Sequence, residues 1–163
     1  MIAVDASTLI LMAKTELLDL FLDNSGLKVF ISGAVEKEST AKECFDALLI
    51  ERRIIEKKIF VRKVKNRRMV ERIGKDFRLH SGEAETIVLC VENGFRLIGT
   101  DDFNAMKACV VLNVPFTSAI EILLKLNQKS ILAKGDALAK LERLEYYGRY
   151  SGEIIEDAKN RVR

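Results

Sequence analysis

Ile2-Ala3-Val4-Asp5-Ala6-Ser7 is the stretch on which the fold turns. Met1 to Val4 is an apolar run too short for a helix and of the right length for a buried strand. It ends on a carboxylate, and Ser7 follows as a predicted N-cap. Leu9, Met12, Ala13, Leu17, Leu20 and Phe21 then recur at helical spacing until Asn24-Ser25-Gly26, which predicts one long helix behind the strand. The alternation continues along the chain. Leu27–Ile31, Ile59–Val64, Phe95–Gly99 and Val114-Pro115-Phe116 read as strands. The segment from about Gly33 to Glu56 reads as one helix buried through Ala41, Cys44, Phe45, Leu48 and Leu49. Shorter helices are expected over 66–76, 81–92 (closed by Asn93-Gly94) and 103–112, and the remainder from Ser118 is helical with breaks near 127–129, Gly135 and 147–152. Strands that alternate with helices imply βαβ units. The expected fold is therefore α/β, a parallel sheet sandwiched between helices, with right-handed crossovers and a C-terminal helical extension. A core over 1–125 and an extension over 126–163 packed on or next to it are the expected divisions.

Composition fits that reading. The chain has 163 residues, 48% hydrophobic and 31% charged, with one Pro and nine Gly, the profile of a folded globular domain. The longest apolar runs, such as Leu9–Ala13, are far short of the roughly 20 residues of a membrane helix, so a cytoplasmic protein with no membrane partner is expected. Cys44, Cys90 and Cys109 are odd in number, widely spaced and set in apolar patterns, so they read as buried hydrophobes and not as a disulfide or zinc framework. Net charge is +3, yet residues 51–72 hold ten Lys and Arg against three Glu, a local +7 over a remainder of −4. Such a band suits a polyanion, because each neutralised phosphate releases counterions; it equally suits a solvated helix face.

Parallel sheets of this kind bind ligands at the carboxyl ends of their strands, and Asp5 and the pair Asp101-Asp102 fall at that edge. Each acid has an ordinary explanation when taken singly: Asp5 and Asp102 as helix caps, Glu83 and Glu85 as first-turn acids that favour a helix dipole. Glu38 is less ordinary, because the spacing to Ala41 and Phe45 puts it on the predicted apolar stripe, where a glutamate needs a partner. No His or Cys joins these acids, so any metal would be held by hard oxygens, which selects Mg²⁺ or Mn²⁺ over zinc. His80 is the only histidine and has no nucleophile motif beside it, and no glycine-rich phosphate loop is present.

Four stretches in order, Ile2-Ala3-Val4-Asp5-Ala6-Ser7, the Glu38 helix, Ser81-Gly82-Glu83-Ala84-Glu85 and Ile98-Gly99-Thr100-Asp101-Asp102, resemble the successive acidic motifs of PIN-domain nucleases. The resemblance covers about residues 1–125 and is especially close to the VapC-like branch. It implies a divalent-metal-dependent endoribonuclease, with Mg²⁺ or Mn²⁺ as cofactor, leaving 5′-phosphate and 3′-hydroxyl ends. It also implies RNA as partner, a small antitoxin protein if the chain is a toxin, and a homodimer. Carried over residue by residue, Asp5, Glu38, Glu85 and Asp101 become the catalytic and metal-binding acids, with Glu83 as the flanking alternative to Glu85 and Asp102 as a further metal candidate. Ser7, Thr100, Arg62, Lys65, Arg67 and Arg68 become candidate substrate-binding residues. A non-catalytic PIN-like RNA-binding or scaffolding protein, and an RNA-processing nuclease that is not a toxin, are the alternatives. A phosphoryl-transfer protein of the haloacid dehalogenase type is disfavoured, because it requires a second Asp where Ser7 stands.

Overall fold

A computed structural model describes residues 1–163. Five short strands, β1 (Ile2–Val4), β2 (Val29–Ile31), β3 (Ile59–Val61), β4 (Leu97–Gly99) and β5 (Phe116–Thr117), form one sheet in the order β3-β2-β1-β4-β5. Every pairing is parallel: Ile2 lies opposite Val29 on one side and Leu97 on the other. Both faces are covered, which is why the strands read as continuous apolar runs and not as alternating ones. Ile2, Val4, Val29, Ile31 and Ile59 point into one core, and Ala3, Phe30 and Ile98 into a second.

Ten helices supply the two outer layers: α1 (Ala6–Lys14), α2 (Leu18–Asn24), α3 (Gly33–Thr40), α4 (Phe45–Ile55), α5 (Arg67–Phe77), α6 (Ser81–Glu92), α7 (Phe103–Val111), α8 (Ala119–Gln128), α9 (Lys134–Tyr147) and α10 (Gly152–Arg161). Helices α5 to α7 pack on the Phe30 face; α1, α2, α8, α9 and α10 pack on the Ile2 face. The residues after 125 enter the same core as β1, with Leu141 and Leu144 fully buried beside Ile2 and Val4.

Most strand ends pass directly into a capped helix. Asp5 caps α1 by accepting from the Thr8 amide, Ser32 caps α3, Asp102 caps α7 and Ser118 caps α8. The carboxyl rim of the sheet therefore collects short polar side chains and helix N-termini, the arrangement that gathers a polar site.

Several local expectations fail: Cys44 is half-buried and not a core residue, and Gly135 lies inside α9 and not at a break. Asp5, not Ser7, is the first N-cap, because the chain turns helical immediately after the strand. The expected long first helix is two, separated at Thr15–Leu17, where Glu16 takes a left-handed conformation (φ 57°) that ends α1. The helix expected over 33–56 is likewise two, broken at 41–44, and the break rotates the second piece. Ala47 and Ile50 of α4 are buried, whereas Phe45 and Leu48 are 73% and 58% exposed.

Candidate functional site

Asp5 follows β1 and Asp101 follows β4, and β1 and β4 are neighbours, so the two carboxylates come to one rim across 96 residues of chain. Thr8 joins them: its amide donates to Asp5 Oδ1 at 2.8 Å and its hydroxyl to Asp101 Oδ2 at 2.7 Å. Asp5 is 1% exposed. Its Oδ1 also accepts from the Ser7 hydroxyl at 2.9 Å, and its Oδ2 from the Thr100 hydroxyl at 2.5 Å. Burial pushes the Asp5 carboxyl up to about 6; the bonds from Thr100, Thr8 and Ser7 oppose the shift and the charge on Asp101 adds to it. Burial also raises Asp101, against the donors Tyr150, Thr8 and the Ala119 amide. Neither acid has a Lys or Arg partner. A buried carboxylate raised by burial and by the charge of a half-buried neighbour, with no counter-cation on either, forms an electrostatic deficit.

A second acid group stands at the N-terminus of α6. Glu83 is half-buried, which raises its carboxyl; its Oε2 accepts from the His80 amide at 2.8 Å, and the charges of Asp102 and Glu38 raise it further. Glu38 does not lie on a buried stripe as the spacing predicted. It is exposed on α3, because the break at 41–44 removes the stripe it was phased against. Its carboxylate instead rests on Gly82, where a Cβ would come within 3.1 Å of Oε2, so any side chain at 82 would push the Glu38 carboxylate aside by a few tenths of an ångström.

Glu85, the acid the motif phase favours, points elsewhere. Buried at 8% exposure, it accepts from Arg67 at 2.5 Å and from the Ala34 amide at the start of α3. Burial pushes its carboxyl up, yet Arg67, Ser32 and Ala34 together outweigh burial and hold it below the usual glutamate range. Its charge is already compensated. With Lys37, Lys63, Gly33 and Ala34 it lines a separate cleft of about 690 Å³ beside the end of β3.

The basic band does not form one surface. Arg52, Arg53 and Lys58 precede or border the start of β3 and pair with Glu56, Asp19 and Asp23 near the amino edge of the sheet. Arg62, Lys63, Lys65, Arg67 and Arg68 follow β3: Lys63 and Arg67 line the Glu85 cleft, Arg62 and Lys65 lie against Asn93 and Glu92 at the end of α6, and Arg68 lies near Asp76 and Phe77. Of these, Arg62 lies 4.7 Å over the Phe30 ring and donates to Asn93, and Arg67 is tied to Glu85. Lys63, Lys65 and Arg68 are exposed and make no ion pair. Thr100 also differs from expectation: it is 1% exposed, and its hydroxyl serves Asp5 instead of facing a substrate.

Tyr150 is the site residue that sequence reading missed. It sits on the connector between α9 and α10, and its phenol donates to Asp101 Oδ1 at 2.5 Å. Burial, with the adjacent Asp101 charge, pushes the phenol well above its ordinary range, so it stays a donor. Nothing in the Tyr147-Gly148-Arg149-Tyr150 stretch signals a contact 49 residues away.

The donor chemistry fits a hard divalent cation. All the oxygens are carboxylate or hydroxyl, Asp5 Oδ2 carries only one donor, and Mg²⁺ ordinarily takes one or two carboxylates and keeps waters. No three His, Cys, Asp or Glu side chains converge as ligands of one ion. Asp5 and Asp101 are thus the pair that fits, with Glu38, Glu83 and Asp102 as the adjoining acidic group. A family model described as a PIN domain matches residues 1–162. No curated protein and no solved structure matches the chain.

Proposed function

From the premise that this chain belongs to the PIN-domain family, whose members are generally nucleases that use divalent metals, we propose that it is a Mg²⁺- or Mn²⁺-dependent endoribonuclease. The observation that carries the reading is the Asp5–Asp101 pair: one buried and one half-buried carboxylate at the strand ends, without a counter-cation, held by hydroxyl and amide donors. A bound divalent cation would supply the positive charge this pair lacks, and with it an acidic water for phosphodiester hydrolysis. Ser7, Thr8 and Thr100 hold Asp5 so that one lone pair of Oδ2 stays free. Thr8 keeps Asp101 in register with Asp5. Among the candidate third acids, Glu83 is preferred over Glu85, since it shares its surroundings with Glu38 and Asp102 while Glu85 is neutralised by Arg67. Lys63, Lys65 and Arg68 would hold the RNA backbone, which confers affinity without sequence choice.

A toxin role in a VapBC-type pair is a further part of the proposal. Phe45, Leu48 and Ile55 of α4, and Phe103, Val110 and Val111 of α7, are exposed apolar side chains that support seating of a small antitoxin protein or a second copy of the chain. The test is degradation of a mixed RNA substrate with Mg²⁺, with Mn²⁺ and with excess chelator, by the parent chain and by Asp5→Asn, Glu83→Gln and Glu85→Gln. Turnover should vanish in chelator and in Asp5→Asn, and fall further in Glu83→Gln than in Glu85→Gln. Cleavage that persists in chelator would overturn the metal-dependent reading. RNA binding with no cleavage under any condition would favour the non-catalytic alternative.

A further inference from the structure

Asp101 has no lone pair to spare. The Ala119 amide, the first of α8, donates to both of its oxygens, at 3.0 Å to Oδ2 and 3.3 Å to Oδ1. Thr8 takes a further position on Oδ2, and Tyr150 takes one on Oδ1. A carboxylate offers about four such positions, so this one is saturated by the chain itself. Asp5, its neighbour, is not.

The donors on Asp101 differ in what their departure would cost. Ala119 and Thr8 are fully buried at the starts of two core helices. Tyr150 belongs to a four-residue connector, 148–151, flanked by exposed Arg149 and Ser151. The connector is folded tightly back on itself. A Cβ at residue 148 would collide with the Tyr150 ring and lie 2.7 Å from the Leu144 carbonyl, so Gly148 is what allows the ring to turn inward onto Asp101. Beside it, Asp101, Ser118, Glu121, Arg149 and Tyr150 line a cleft of about 450 Å³, next to a ring that is half-buried against the main core.

We propose that Tyr150 is a stopper built into the C-terminal connector: its phenol occupies the Asp101 lone pair that a divalent cation needs, so cation binding at the Asp5–Asp101 pair and release of Tyr150 are one coupled event. This rests on the metal-dependent reading above, and it adds that the tail sets the cation affinity of the site. By linkage, whatever holds the connector down weakens cation binding, and the cation in turn loosens the connector by the same factor.

The experiment is titration with Mn²⁺, followed by the magnetic-resonance signal of the free ion, on the full chain as the parent, Tyr150→Phe, Tyr146→Phe and Asp5→Asn. Tyr150→Phe keeps the ring and removes only the hydroxyl. It should bind Mn²⁺ roughly tenfold to a hundredfold more tightly, the equivalent of one hydrogen bond to a charged group. Tyr146→Phe, at an 82% exposed position, should match the parent, and Asp5→Asn should lose the site. In the parent chain, saturating Mg²⁺ should speed amide hydrogen exchange over residues 148–151. Equal or weaker Mn²⁺ binding in Tyr150→Phe, or exchange unchanged by Mg²⁺, overturns the stopper. Parent binding that is lost in Asp5→Asn would meanwhile leave the cation reading intact. Absence of Mn²⁺ binding in every variant overturns both.

Discussion

At the scale of single residues, the cost of Asp5 is the most informative quantity. Its carboxyl is pushed up from the ordinary 3.8 to about 6 in the folded chain, so the folded state holds the proton more tightly than the unfolded state does. The penalty for burying its charge is thus absent below about pH 4, grows as pH rises from about 4 to about 6, and is fully present above that. The shift corresponds to about 3 kcal/mol at its plateau. Asp5→Asn removes the ionisation, and the amide oxygen can keep the bonds from Thr8 and Ser7 while the Thr100 hydroxyl reorients to accept from the amide nitrogen. In chelator, then, urea unfolding should show Asp5→Asn more stable than the parent at pH 8, with the gap closing towards pH 4. A gap that does not change with pH would mean that Asp5 is not ionised in a buried site. A gap that closes towards pH 4 would show Asp5 trading stability for chemistry, the signature expected of a functional acid and not of a helix cap alone.

At the scale of elements, β3 divides the basic band. Three residues of strand are enough to carry the chain from one edge of a parallel sheet to the other, so cations that are neighbours in sequence end on opposite rims. Lys63 lines the Glu85 cleft and Lys65 lies against Glu92 at the C-terminal end of α6, whereas Arg52 and Lys57 lie at the start of β3 with the ion-paired Arg53 and Lys58. In an Asp5→Asn background, Lys63→Glu with Lys65→Glu should weaken binding of labelled single-stranded RNA. It should also flatten the dependence of log affinity on log salt by about 0.7 per lost phosphate contact, or about 1.4 for the pair. Arg52→Glu with Lys57→Glu should leave the slope at the parent value. Equal slopes for both double variants would show that RNA follows another path across the protein. Loss of the slope in the amino-edge variant alone would place the RNA on the opposite rim.

For the whole molecule, the C-terminal segment supplies part of the main core. Leu132, Leu141, Leu144 and Ile155, each at most 5% exposed, pack in the same core as Ile2, Val4 and Leu9. Truncating one buried leucine or isoleucine costs about 2–5 kcal/mol, so losing four costs about 8–20 kcal/mol, as much as or more than the roughly 5–15 kcal/mol by which a domain is stable. A fragment of residues 1–125 should show no cooperative thermal transition by circular dichroism. A fragment that melts cooperatively as a monomer would make α9 and α10 a dispensable appendage. Much of this architecture was legible without coordinates. Short apolar runs bounded by Asp, Ser and Gly specified five strands and their parallel pairing, since strand length, turn chemistry and helical period are local properties, and the same logic put Asp5 and Asp101 at one edge. What local period could not carry was the docking of one element on another. The breaks at Glu16 and at 41–44 turn helix faces away from the stripe their spacing suggests. The pairing of Glu85 with Arg67 and the landing of Tyr150 on Asp101 join groups 18 and 49 residues apart. Such contacts arise only when buried carboxylates must find donors within a packed rim. The need for a partner is written in each residue, but the partner is selected by which side chains the close-packed core brings within 3 Å.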